Sequence, residues 1–316
     1  MKFKKILAAV MSVAMLGTIT GAMTGCNSSK KYKVGICQLV EHPALDAATK
    51  GFMDVLKEKL GDDIEFDEQN ANNESGNCAT IINGFVSANV DLIMANATPS
   101  LAAAVSGTSS IPIVGTSITS YEVALGDNWT GKNVTGASDL APIDQQEDMI
   151  LEIFPNVKKV GILYCSAEDN SRYQADVMKA ELDKDGIECK TFTVTDSNEI
   201  QAMTQAAISD GCDVLYIPTD NIFASAAETV KNVVVPAKVP VVAAEEGICK
   251  GCGTVTLSIS YESMGRAAGE MAYEILVNGK DPGTMAVGYS TTTKMYNKEI
   301  CDQLGITVPD GYTAIA

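Results

Sequence analysis

The chain is expected to fold as an α/β protein of two similar, doubly wound parallel-sheet lobes, because it reads one pattern twice. Tyr32-Lys33-Val34-Gly35-Ile36 opens the first half and Lys159-Val160-Gly161-Ile162-Leu163 the second. Asp91-Leu92-Ile93-Met94 is answered by Asp213-Val214-Leu215-Tyr216, and Ile111-Pro112-Ile113-Val114 by Val239-Pro240-Val241-Val242. Val34 and Val160, Asp91 and Asp213, and Pro112 and Pro240 lie 126, 122 and 128 residues apart. Near-constant spacing over three strand-like runs marks a duplicated unit. Two such units side by side leave a cleft at the carboxyl ends of their strands, where α/β sheets bind ligands.

In the first half, Lys33–Leu39 reads as a strand. A helix then starts at Pro43 and ends near Gly61, with Leu45, Ala48, Phe52, Val55, Leu56 and Leu60 at helical spacing. Asp63–Glu68 is a strand, Glu74–Ala88 a helix, and Val90–Ala95 an unbroken apolar run of the kind a strand buried on both faces requires. Thr98-Pro99-Ser100 begins a helix, and Ile111–Val114 and Asn133–Ser138 are strands. The second half repeats the rhythm. Strands are expected at Lys159–Tyr164, Cys189–Val194, Val214–Ile217, Val239–Ala243 and Thr254–Ser258, with helices at Ser171–Lys184, Asn198–Ser209 and Ile222–Val234. Tyr261–Val277 and Asn297–Leu304 are further helices. Crossings between lobes are expected near Asp139–Pro142, Ser258–Glu262 and Gly283–Tyr289, which makes a three-stranded hinge. The division is then 32–140 with 262–284 for lobe one, and 141–261 with 285–316 for lobe two.

Residues 1–25 read as a signal segment. Lys2, Lys4 and Lys5 precede an apolar run, Ile6–Leu16, too short to span a membrane as a mature helix. Met23-Thr24-Gly25-Cys26 resembles a bacterial lipobox, with Cys26 as the lipidated residue and 26–31 as a polar tether. The expected location is therefore extracytoplasmic, lipid-anchored to the outer face of the bacterial cytoplasmic membrane. The chain carries 40 acidic and 23 basic residues, a net −17. Such acidity argues against a nucleic-acid partner and favours a soluble monomer. Besides Cys26, eight cysteines are scattered, mostly in apolar runs, as small hydrophobes. Cys249-Lys250-Gly251-Cys252 has the spacing of a metal or redox pair. With no second pair and no nearby His it is read as structural, in a Gly-rich turn. No metal and no cofactor are expected.

Val40-Glu41-His42-Pro43-Ala44-Leu45-Asp46, Ala97-Thr98-Pro99-Ser100, Asn133-Val134-Thr135-Gly136-Ala137-Ser138-Asp139-Leu140 and Pro218-Thr219-Asp220-Asn221 resemble the solute-binding lipoproteins of ABC transporters, in the group typified by tryptophan and tyrosine importers. The resemblance runs from Tyr32 to Pro309. It implies a type I periplasmic-binding-protein fold, an ABC permease as partner and an aromatic amino acid as ligand.

An amino acid presents a carboxylate and an ammonium, and a closing cleft must replace the water on each. Thr98, Pro99 and Ser100 at a helix start, and Thr116 and Ser117 after the next strand, are candidates for the carboxylate. Plain capping explains them equally well. Asp220 is the first candidate for the ammonium, with Asn221 left to cap the following helix. On that reading Asp220→Ala weakens binding by about tenfold to a few hundredfold and barely alters the fold. Glu245, Asp139, and Asp169 with Asn170 are further polar contacts, and Glu41 and His42 end the first strand. Trp129 is read as a surface-loop residue. His42 is the sole histidine. No Gly-x-Ser-x-Gly, Gly-x-Gly-x-x-Gly or Walker loop accompanies it, so an enzyme is disfavoured. A nucleoside or branched-chain amino-acid receptor of the same fold is the alternative.

Overall fold

A computed structural model describes residues 31–315; the expected signal segment and Cys26 lie outside the described residues. The first lobe is laid down as β1 (Tyr32–Gln38), α1 (Pro43–Leu60), β2 (Ile64–Asn70), α2 (Ser75–Ser87), β3 (Leu92–Asn96), α3 (Thr98–Gly107), β4 (Ile113–Ile118), α4 (Tyr121–Leu125) and β5 (Val134–Ser138). Every residue of β3, β4 and β5 is buried, as strands covered by helices on both faces must be. The chain then enters the second lobe. There it forms α5 (Ile143–Ile153), β6 (Lys159–Cys165), α6 (Asp169–Lys184), β7 (Glu188–Val194), α7 (Ile200–Ser209), β8 (Val214–Ile217), α8 (Asn221–Ser225), α9 (Ala227–Ala237), β9 (Val241–Ala243), α10 (Glu246–Cys252) and β10 (Val255–Ile259). Next α11 (Tyr261–Asn278) returns to pack on lobe one, and β11 (Gly288–Tyr289) adds to its sheet. The chain ends in lobe two with β12 (Thr292–Tyr296), α12 (Lys298–Leu304) and β13 (Thr313–Ala314).

The sheets are ordered β2-β1-β3-β4-β5-β11 and β7-β6-β8-β9-β10-β12-β13. The first five strands of each share one order, so the duplication read in the sequence is a duplication of topology. In each sheet the order reverses at the first strand, β1 or β6. The crevice beyond the carboxyl ends of β1 and β3, and of β6 and β8, is therefore where a ligand is accommodated. The ladders within these five-strand units are parallel; β12 alone runs antiparallel to its neighbour β10.

Cores fill both faces of each sheet. Cys37, Ile82, Phe85, Ile93 and Leu101 lie under α2 and α3, and Val34, Ile36, Phe52, Leu56 and Leu92 under α1 and α11. Each such fully buried side chain contributes about 1.5–3 kcal/mol. Helices α1 and α11 meet at backbone distance: a Cβ on Gly265 would lie 2.0 Å from the Ala48 carbonyl oxygen, and one on Gly51 2.3 Å from that of Glu262. A small cluster of Ala44, Ala48, Ala137, Ile259, Tyr261 and Met264 joins the lobes beside the hinge.

Several expectations need correction. The chain leaves lobe one for the last time between Tyr289 and Thr292, because β11 still pairs with β5. The expected division after residue 284 is therefore too early; a two-residue edge strand carries no periodicity to read. The helix expected at Ile222–Val234 breaks at Ala226 into α8 and α9. Cys249 and Cys252 lie in helix α10, not in a turn, since Glu245 caps it. Trp129 is buried with its ring 5.0 Å from that of Tyr121, so it belongs to the core of lobe one. All eight cysteines among the described residues are free, and burial raises the Cys249 and Cys252 thiols far above their ordinary value.

Candidate functional site

The floor of the cleft in lobe one is a buried polar network at the ends of β1, β3 and β4. Thr49 donates to Gln38 Oε1 at 2.6 Å, and Asn96 Nδ2 donates to Thr49 Oγ1 at 3.0 Å and to the Leu45 carbonyl at 2.9 Å. Asn96 Oδ1 accepts the Ser117 hydroxyl at 2.8 Å. Two residues here adopt backbone that favours glycine: Ala97 has φ +84° and ψ 157°, and Ser117 has φ +56°. Strain of this kind, about 1–3 kcal/mol each, collects where a fold positions a site. His42 is the extended residue before Pro43 of α1 and does not cap the helix with its side chain.

Lobe two supplies the acidic side. Asp220 is the N-cap of α8, accepting Phe223 N–H at 3.0 Å, and it also accepts Cys165 N–H at 2.6 Å. Glu168 precedes α6 and reaches across to the same helix start. Its Oε2 accepts Asn221 N–H at 3.1 Å and Asn221 Nδ2 at 2.7 Å, and its Oε1 accepts Ile222 N–H at 3.2 Å. Glu245 caps α10 through Gly247 and Ile248 N–H. Burial pushes these carboxyls up: Glu168 to about 8, with the Asp220 charge adding to it, Glu245 to about 7, and Asp220 upward as well.

The hinge closes the site from behind. Asp139, in the first crossing, accepts Tyr261 OH at 3.0 Å from the second crossing and Thr119 OH at 3.1 Å. Its carboxyl is pushed up to about 6 by burial, against the pull of those two hydroxyls. Thr119 of lobe one lies 3.2 Å from Thr219 of lobe two, and Gln174 Nε2 donates to Thr219 at 2.6 Å. Since each hydroxyl has one proton, the chain runs from Gln174 to Thr219 to Thr119 to Asp139. His42 Nε2 meets Asn221 Oδ1 at 3.3 Å, a second contact between the lobes.

Between these groups lies a narrow inter-lobe cavity, with about 10 Å³ open to the centre of a water molecule, walled by His42, Leu45 and Ser117, by Asp139 and Tyr261, and by Asn170, Thr219, Asp220, Asn221, Ala224 and Glu245. No Lys or Arg is in that wall. Two of its buried atoms, His42 Nδ1 and Asn170 Oδ1, have no hydrogen-bond partner. Asn170 Nδ2 is committed to Glu168 at 3.1 Å and the Thr219 carbonyl at 2.9 Å, which fixes Oδ1 as the free end. The cavity thus offers acceptors and negative charge, and suits a ligand rich in donors.

Of the residues expected at the site, His42, Ser117, Asp139, Asn170, Asp220, Asn221 and Glu245 share this cavity. The rest do not. Glu41 is exposed and lines an open groove on lobe one. Thr98 is buried but absent from the wall, and Pro99 borders a separate groove. Ser100 turns into the core of lobe one between Cys37 and Cys78, 3.7 and 3.6 Å away. Thr116 is wholly buried with its hydroxyl unpaired, one pleat out of phase with Ser117. Asp169 points to solvent and pairs with Arg172 at 2.6 Å. Asp220 holds two backbone N–H groups, so its carboxylate is structural as well as cavity-facing. Thr219, Tyr261 and Glu168 were not anticipated. Thr219 sits one residue before the expected Asp220, Tyr261 read as an apolar helix start, and Glu168 lies one residue before an expected contact.

The family profile described as ABC transporter substrate binding protein matches residues 33–316. A tyrosine-binding protein of Clostridioides difficile is 36% identical over 307 residues, covering 90% of this chain and 88% of that one. Among solved structures, an ABC domain in complex with L-Trp from Streptococcus pneumonia is 33% identical with a TM-score of 0.85, covering 90% of this chain and 100% of that one. A ligand-free, open structure of a substrate-binding protein with adhesive properties from Clostridium difficile is 35% identical, covering 90% and 99%, but its TM-score is 0.69.

Proposed function

Because the chain belongs to the ABC transporter substrate-binding protein family, we propose that its cleft holds an L-aromatic amino acid for delivery to a membrane permease. Family membership makes it an extracytoplasmic substrate-binding component of type I periplasmic-binding-protein fold rather than an enzyme. The aromatic class is supported by the relatives that bind tyrosine or L-Trp, and an amino acid in general by the cavity wall. Asp139, Asp220 and Glu245 face a space that holds no cationic side chain, and Asn170 Oδ1 waits there without a donor. An ammonium satisfies all of these at once. It is assigned to Asp220 and Asn170, with Asp139 behind them. Ser117 gives its hydroxyl proton to Asn96, so that hydroxyl has no proton left for the ligand carboxylate.

The lobes are read as closed. The overall likeness is far higher to the L-Trp complex than to the open structure, although identity and coverage are nearly equal. Thr119–Thr219 and His42–Asn221 bridge the cleft in agreement. Membrane attachment is assigned to lipid on Cys26, on the lipobox-like Met23-Thr24-Gly25-Cys26. The working unit is read as a monomer. Titration calorimetry against phenylalanine, tyrosine, tryptophan, leucine and a nucleoside tests the ligand. Heat with an aromatic amino acid supports the reading; heat only with leucine or the nucleoside replaces the ligand class. Release of the Cys26→Ser protein from the membrane fraction tests the anchor, and unchanged attachment would refute it.

A further inference from the structure

The two unpartnered acceptors in the cavity stand in different surroundings. Asn170 Oδ1 lies on lobe two, beside Glu168 and Asp220. His42 Nδ1 comes from lobe one, whose other contributions to the wall are Leu45 and Ser117. His42 is 6% exposed, so an acceptor left bare there carries the full cost of lost water unless a ligand supplies a donor.

Which ring nitrogen is bare follows from the neighbours. Glu168 Oε2 takes the backbone N–H of Asn221 at 3.1 Å, Asn170 Nδ2 at 3.1 Å and the Ser171 hydroxyl at 3.4 Å, so it is an acceptor, and a proton on this carboxyl sits on Oε1. Asn221 Nδ2 points at that same oxygen at 2.7 Å, and turning the amide over would set oxygen against oxygen. Asn221 Oδ1 therefore faces His42, and only an Nε2–H can bond to it at 3.3 Å. Burial lowers the imidazole's affinity for a second proton, although the bond to Asn221 and the Asp46 carboxylate work the other way. Nδ1 thus carries a lone pair and no hydrogen. The lock is a bond between lobes, so it exists only when they are shut.

Resting on the aromatic amino-acid reading, we propose that His42 Nδ1 accepts a hydrogen bond from an O–H or N–H on the ligand's ring, and so selects tyrosine or tryptophan over phenylalanine. The ammonium is drawn to the carboxylates of the hinge and lobe two. A neutral imidazole beside Leu45 suits a neutral donor carried on an apolar ring. Sites that bond a ligand hydroxyl reject the analogue lacking it, because the buried acceptor is then left empty.

Two substitutions separate the two nitrogens. His42→Gln places an amide where Nε2 was and keeps the bond to Asn221, but has no acceptor at the Nδ1 position. His42→Asn keeps an acceptor near the Nδ1 position and gives up the bond to Asn221. Calorimetry of wild type and both variants with tyrosine, tryptophan and phenylalanine reads the outcome. Wild type is expected to prefer tyrosine or tryptophan over phenylalanine by about ten- to hundredfold. In His42→Gln the preference falls to within about threefold, whereas His42→Asn keeps it while all three ligands weaken together. A preference unchanged in His42→Gln, or no preference in wild type, overturns the proposal and leaves the aromatic reading standing. Failure of wild type to bind any of the three overturns both.

Discussion

Ligand binding should expel protons from the cleft. The perturbation is the arrival of an ammonium among buried carboxyls that no Lys or Arg of the cavity wall neutralises. Burial holds Asp139 at about 6, Glu245 at about 7 and Glu168 at about 8, with Asp220 raised beside it. At pH 7 these values leave Glu168 mostly protonated, Glu245 about half and Asp139 about a tenth, or roughly one and a half protons in all. A positive charge within about 4–6 Å favours the ionised form by about 1–3 pH units, so about one proton should leave per ligand bound at pH 7. Affinity should then rise with pH between about 6 and 8, approaching tenfold per unit where a full proton is lost. Calorimetry at pH 7 in two buffers of different ionisation enthalpy measures the release directly. Equal heats in both buffers, with a dissociation constant flat across that range, would refute the argument. The ligand-free protein should show the opposite trend. Its carboxyls bind protons more tightly folded than unfolded, so their contribution is fully present below about pH 4.5 and is lost as pH rises through about 6 to 8. Melting temperature should therefore fall across that window.

Asp220→Ala should lower ligand-free stability by about 2–4 kcal/mol, since it removes a helix cap and strands the Cys165 N–H. Relief of the Glu168–Asp220 repulsion places the value toward the lower end; an unchanged melting curve would show that neither bond matters. Gly265→Ala should destabilise by about 1–3 kcal/mol, because its Cβ would lie 2.0 Å from the Ala48 carbonyl oxygen. In an open helix the same change stabilises, so the sign of the shift in melting temperature decides. Ala97→Gly should raise stability by about 1 kcal/mol through release of its φ of +84°, and a lower melting temperature would argue against strain there.

The duplicated fold was readable because β1, β3 and β4 recur as β6, β8 and β9 with apolar centres, which strands covered on both faces require. Crossings at Asp139–Pro142 and near Ser260 were readable for a related reason, since regular elements stop there. Helix α5 was missed although Ile143, Met149, Ile150 and Ile153 mark an apolar face, because it follows a crossing directly and opens on the polar run Asp144–Asp148. Site residues were legible as a class, at the carboxyl ends of strands, but not one by one. Asp169 and Asn170 are adjacent and look alike in sequence, yet the helix turn sends one to solvent and one to the cavity. Thr116 and Ser117 differ by one pleat in the same way. The double role of Asp220 depends on Cys165 lying across the switch point, and no local pattern encodes that contact.

The return of α11 to lobe one fixes an order of assembly. Residues 43–60 of α1 find their cover in residues 261–278, more than 200 positions later in the chain. Lobe two, from α5 to β10, is one uninterrupted stretch that lacks only its edge strands and the short helix α12. As the chain emerges from amino to carboxyl end, the second lobe can therefore mature while the first still shows water the face that carries Ala48, Gly51 and Phe52. A truncated product ending after β5 keeps five of its six strands but loses the helix that completes them and the edge strand β11. An uncovered α1 is thus the mark of an unfinished molecule.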